Sequence, residues 1–229
     1  MLLSNILQSL SGTLNNVYVG QMLGVGALAA VSSFFPILFF FIAFTIGLGA
    51  GASVLIGQAW GARDVGKVKS VAGTTLTVGV AFGVLVAIFG GTFTGPMLKA
   101  LGTPADILAD ATLYARIMML AGPGLFLYLL STAMLRGVGD TVTPLYTLLI
   151  STVVGLIVTP ALIRGWGGLP QLGVASGAVA SVLSMFVAMV WLAFRLRKIK
   201  SPLAPDAEFV QKLRINLPIL KTVLKVGVP

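Results

Sequence analysis

Residues 1–62, MLLSNILQSLSGTLNNVYVGQMLGVGALAAVSSFFPILFFFIAFTIGLGAGASVLIGQAWGA, contain no Asp, Glu, Lys or Arg, and ionic groups first appear at Arg63 and Asp64. Soluble domains carry charge on about a quarter of their residues, spread along the chain, so a stretch this long without any belongs in hydrocarbon. Working outward, charge-free runs recur at 70–98, 117–135, 141–163 and 165–194. Each is near or above the ~20 residues that cross ~30 Å of hydrocarbon. Only 9% of the 229 residues are charged, and the mean hydropathy is +1.04. Inside a bilayer the backbone must satisfy its own polar groups, and runs of this length do so as helices. The expected fold class is therefore all-α integral membrane, a six-helix transmembrane bundle.

Spans are expected at 2–21, 28–60, 70–96, 105–136, 141–163 and 172–195, with glycine and proline marking the breaks between them. The second and fourth exceed the hydrocarbon thickness, which makes Pro36 and Pro123 expected kink points. After the sixth, residues 206–225 carry Phe209, Leu213, Leu217, Leu220 and Leu224 at helical spacing, with Lys212, Arg214, Lys221 and Lys225 off that stripe. This predicts a cytoplasmic-side interfacial amphipathic helix, divided at Pro218. The expected domain organisation is a six-span lobe over 1–200, followed by a linker over 201–229 in which a seventh span begins, as though the chain were incomplete.

Arg63, Lys67, Lys69, Arg136, Arg195, Arg197, Lys198 and Lys200 fall in alternate connections, against only Lys99 and Arg164 in the others. The positive-inside rule then predicts a cytoplasmic amino terminus in a multi-pass cell (inner) membrane protein. Most of the +9 net charge is thus topological, and its expected partner is the lipid bilayer, with no nucleic acid. The chain has no cysteine and no histidine. That removes disulfides, thiolate and imidazole metal ligands and the usual neutral-pH acid/base group, so neither a metal site nor an enzyme is expected, and no cofactor. All six acids, Asp64, Asp106, Asp110, Asp140, Asp206 and Glu208, lie in connections or at span edges.

Asn5, Gln8, Ser9, Gly12, Asn15 and Asn16 fall within about 120° on a helical wheel of the first span. Such a face looks into the bundle, either lining a wet cavity or making interhelical hydrogen bonds. Arg116 either snorkels to an interface or faces the cavity as a cation. The aromatic and methionine side chains, such as Phe40, Phe44, Met118 and Met189, are either lipid-facing filler or the wall of a pocket for flat apolar compounds.

The run Asn15-Asn-Val-Tyr-Val-Gly-Gln-Met-Leu-Gly, with Ala27-Leu-Ala-Ala-Val after it, resembles the first-span signature of the multidrug and toxic compound extrusion (MATE) transporters. Pro36, Gly57-Gln-Ala-Trp-Gly-Ala-Arg-Asp, Tyr114, Leu135-Arg-Gly-Val-Gly-Asp-Thr-Val-Thr-Pro and Leu172-Gly-Val-Ala-Ser-Gly-Ala-Val-Ala-Ser follow in the order the resemblance requires. It implies the amino-terminal lobe of a twelve-helix exporter whose two lobes alternate access around a central cavity. The implied function is secondary active efflux of organic, cationic compounds in exchange for a coupling ion, Na+ or H+. The second lobe would come from the same chain or from a second copy. The expected cavity residues are Asn5, Gln8, Asn15, Asn16, Gln58 and Thr159. Where many bacterial members carry an Asp in the first span this sequence has Asn15, and where they have an Asn and an Asp-Pro in the fifth it has Gly155 and Thr159-Pro160; an amide or hydroxyl does not titrate between pH 5 and 8. The alternatives are a lipid-linked glycan flippase of the related superfamily and a non-transporting or homodimerising half-transporter.

Overall fold

The computed structural model describes residues 2–166 and 171–227, without the side chains of residues 2–5, 8, 11, 15 and 207. Among the described residues the chain forms ten α-helices: α1 (Leu2–Leu23), α2 (Val25–Ser32), α3 (Phe35–Gly61), α4 (Val65–Ala100), α5 (Leu108–Leu120), α6 (Gly122–Gly137), α7 (Val142–Arg164), α8 (Ala175–Lys198), α9 (Ala207–Gln211) and α10 (Leu217–Gly227). Among the described residues four stretches are long and apolar enough to cross a membrane: α2 with α3, α4, α7 and α8. The pair α5 and α6 makes a fifth as a broken span. The sixth rod, α1, has 22 residues and so reaches across ~30 Å at 1.5 Å per residue, but its amides and hydroxyls leave it less apolar than the others.

The breaks are local and chemical. Gly24, with φ at 88° and ψ at 178°, takes a positive-φ conformation that ends α1 without the strain a side chain would add. The two expected kink prolines start helices instead. Pro36 lies in the first turn of α3 and Pro123 in the first turn of α6, where a missing N–H removes no helical hydrogen bond. The interruptions fall just before them, at Ser33–Phe34 and at Ala121. The prolines inside helices are Pro96 in α4 and Pro160 in α7.

Three of the six acids cap helices. Asp64 accepts the N–H of Lys67 at 2.9 Å ahead of α4. Asp140 accepts the N–H of Thr143 at 2.9 Å and the Thr143 hydroxyl at 2.6 Å at the start of α7. Asp206 accepts the N–H of Phe209 at 2.7 Å at the start of α9. A carboxylate there satisfies N–H groups that have no partner within the helix and complements the positive end of the helix dipole.

By contact the chain divides into two compact units. The first is Met1–Phe39, Val84–Gly122 and Leu148–Ala188; the second is Phe40–Gly83, Pro123–Thr147 and Met189–Pro229. In the first, α2 packs on both α1 and α5. Gly177 of α8 lets the side chains of Tyr114 and Val19 approach its Cβ position to 3.6 Å, and Tyr114 meets Phe34 edge-on with ring centroids 6.1 Å apart.

The second unit is built on Leu48, Ile56, Val71, Leu130, Met134 and Leu192, all nearly inaccessible. The segment after α8 folds back onto this core. A Cβ on Gly73 would collide with the carbonyl of Lys212, and one on Gly51 with the carbonyl of Val223, so backbone lies directly on backbone at both points. The amphipathic segment comes in two pieces, but the division is at Lys212–Asn216, not at Pro218, which sits in the first turn of α10. Restarting the helix at Leu217 changes the phase of its apolar face. Ile219, Leu220, Val223 and Leu224 therefore pack on the core, while Leu213 and Leu217 are exposed.

Lys69 of α4 anchors this segment, 3.1 Å from Asp206 and 2.5 Å from Glu208. The Phe209 N–H first, and then Lys69, hold the Asp206 carboxyl below the usual carboxylate range. A carboxyl lowered on folding stabilises at pH above its unfolded value, and the contribution disappears as pH falls through the lowered value. Hydrogen-exchange protection of the Phe209 amide should accordingly fall as pH drops below the usual aspartate range, and Asp206→Asn should lower it at neutral pH and flatten its acid dependence.

Candidate functional site

A polar cavity lies within the first unit, between α1, α7 and α8. It has a volume of about 200 Å3 and is lined by Gly12 and Tyr18 of α1, by Ser151, Thr152, Gly155, Leu156 and Thr159 of α7, and by Ser181 and Ser184 of α8. The spacing explains the wall. Ser151, Gly155 and Thr159 recur every four residues and share one face of α7, and Ser181 and Ser184 are three apart on α8. Gly155 opens the space between the helices, since a Cβ there would sit 3.3 Å from the Ser184 hydroxyl oxygen.

Each hydroxyl has one hydrogen to give, and those of Thr152, Ser181 and Ser184 are committed to the helix that carries them. Thr152 donates to the carbonyl of Leu148 at 2.9 Å, Ser181 to that of Gly177 at 2.7 Å, and Ser184 to that of Ala180 at 2.6 Å. What these groups can still present is oxygen lone pairs. Pro160 adds to this, because without an N–H it cannot bond the carbonyl of Leu156 four residues back, and Leu156 lines the pocket. No lining residue is charged. The wall is neutral and rich in acceptor oxygens, which suits a cation or a ligand rich in N–H and O–H donors.

Of the residues expected from sequence, Thr159 lines this pocket and is buried. Asn16 is half-buried on α1, and Gln58 is exposed near the end of α3 in the second unit; neither lines the pocket. The side chains of Asn5, Gln8 and Asn15 lie outside the described residues. Tyr18, Ser151, Thr152, Ser181 and Ser184 were not expected from sequence. The available signal was the four-residue recurrence of small and hydroxyl residues along α7. Among the described residues no group of His, Cys, Asp or Glu is placed to hold a metal ion.

The MatE family profile matches residues 1–161. The chain belongs to the MatE family. It is 45% identical to the probable multidrug resistance protein YoeA of Bacillus subtilis over all 229 residues, which cover 50% of that protein. It is 28% identical to an FAD transporter of Shewanella oneidensis over 215 residues, 93% of this chain and 47% of the relative. A solved MOP superfamily transporter from Pyrococcus furiosus matches with a TM-score of 0.86 at 26% identity, covering 99% of this chain and 49% of that one. The chain thus spans about half the length of the curated relatives it matches. MatE proteins are membrane transporters and not enzymes, and the polar pocket of this chain is placed among the rods of such a lobe.

Because the chain has no native cysteine, access to the pocket can be read at a single introduced thiol. Ser181→Cys should react readily with a small methanethiosulfonate reagent, and adding Gly155→Leu should slow that reaction at least tenfold by filling the space beside Ser184.

Proposed function

We propose that this MatE lobe takes part in secondary active efflux of organic, cationic compounds in exchange for Na+ or H+, by alternating access. The observation that carries the reading is the acceptor-lined pocket of α1, α7 and α8. The hydroxyls of Thr152, Ser181 and Ser184 turn their hydrogens into the helices, and no lysine or arginine lines the pocket. A desolvated cation gains from such oxygens part of what it loses in water, whereas an anion meets no cationic side chain in the lining. Hydroxyls do not titrate near neutral pH, so within this pocket a coordinated Na+ suits the chemistry better than a bound proton.

In this reading Asn5, Gln8, Asn15, Asn16, Gln58 and Thr159 contribute to the wider transport path, the amino terminus is cytoplasmic, and residues 1–200 form the moving lobe with 201–229 as its linker. The second lobe is supplied by the same polypeptide or by another copy. An anionic cargo, such as the flavin dinucleotide named for the Shewanella relative, is the competing reading. Two arms of one experiment separate them.

The chain is expressed in an efflux-deficient bacterium, alone and joined to a second MatE lobe, and accumulation of ethidium and of a flavin is followed. Ethidium accumulation should fall several-fold, flavin accumulation should not change, and Asn15→Leu should restore ethidium without altering membrane insertion. Loss of ethidium from cells bearing the unjoined chain identifies a homodimer. Export of flavin alone, or of neither compound in either form, refutes the proposal.

A further inference from the structure

Within the second unit a different cavity, of about 520 Å3, is enclosed by α4, α6, α8, the connection before α9, and α9 itself. Its size lies in the 300–1,000 Å3 range of small-molecule sites, and its chemistry is almost entirely hydrocarbon. Leu76, Leu127, Leu192, Leu203 and Phe209 form the walls, and Thr77 and Ser131 bring the only hydroxyls. The Thr77 hydroxyl is already donated to the Gly73 carbonyl at 2.8 Å. An occupant therefore gains from apolar contact and little from hydrogen bonding.

The rim has the opposite character. Arg197 donates from Nε at 3.2 Å and from Nη2 at 3.0 Å to the carbonyl of Pro205, which itself lines the cavity. That uses two of the five N–H groups of a guanidinium and fixes a cation beside the opening. Lys198 and Lys200 follow Arg197, and exposed Lys212 and Arg214 flank the lining residue Leu213. The nearby acids Asp206 and Glu208 both pair with Lys69. Among the described residues no acid pairs with the other five cations.

We propose that this cavity holds an acyl chain of an anionic glycerophospholipid whose phosphate rests on the basic rim. A cationic cargo would be repelled there. A zwitterionic lipid would fill the apolar part but gain less from the arginines and lysines, which favour phosphate when no ammonium is attached to the same headgroup. Headgroup selectivity is thus the property that distinguishes this site from generic contact with solvent lipid.

The full chain, purified in detergent, is mixed with equimolar phosphatidylglycerol and phosphatidylcholine of matched acyl chains and examined by native mass spectrometry. One phosphatidylglycerol should remain bound per chain, at least fivefold over phosphatidylcholine. Ala193→Trp, which projects into the cavity, should remove both adducts. Lys212→Gln with Arg214→Gln, at exposed positions where folding is not at risk, should keep an adduct but bring the two lipids to parity. Equal retention by the unsubstituted chain, an undiminished adduct in Ala193→Trp, undiminished selectivity in the double variant, or a lipid-free dimer that Ala193→Trp abolishes would each overturn the proposal.

Discussion

Hydrocarbon offers no partner for a polar hydrogen, and this constraint governs both the helices and the pocket. Many serines and threonines within the rods give their hydrogens to the carbonyl four residues back, as Thr45 does to Phe41 at 3.0 Å, Thr147 to Thr143 at 2.8 Å and Ser184 to Ala180 at 2.6 Å. The same bond that makes a hydroxyl tolerable among apolar side chains also decides its polarity toward the inside. Once its hydrogen is committed, the oxygen can only accept. Several such residues around one small space make a receptor for positive charge without any negative charge being buried.

The constraint also explains the placement of the acids. Carboxylates that would be costly in a span instead terminate helices, at Asp64, Asp140 and Asp206. There they satisfy N–H groups that the helix cannot satisfy itself. Ionic chemistry is thereby confined to the ends of the rods, where it fixes boundaries and, through Lys69, ties the α9 segment to α4.

The rods were legible because hydrophobicity over ~20 residues is a property of composition, which sequence carries directly. The interruptions at Ser33–Phe34 and Ala121 were placed a few residues late, on Pro36 and Pro123, because proline is as comfortable in a first turn as at a bend. The phase of α10 was not legible, because it depends on a helix restart at Leu217 made possible by backbone lying on Gly73 and Gly51. At the pocket, Thr159 was readable beside Pro160. Ser181 and Ser184 were not, because a lone serine in an apolar helix looks the same whether it faces lipid, a neighbour or a void. Gln58 illustrates the same ambiguity, since an amide near a helix end says nothing about which way it points, and here it is exposed.

Where α10 crosses α3, Gly51 faces the peptide of Val223 and Gly227 faces the peptide of Gly47. Side chains ordinarily cushion such a crossing, yielding by rotamer changes before the main chains move. Bare peptides have no such compliance. A tug on α10 is consequently delivered to α3 as rigidly as through a shared axle.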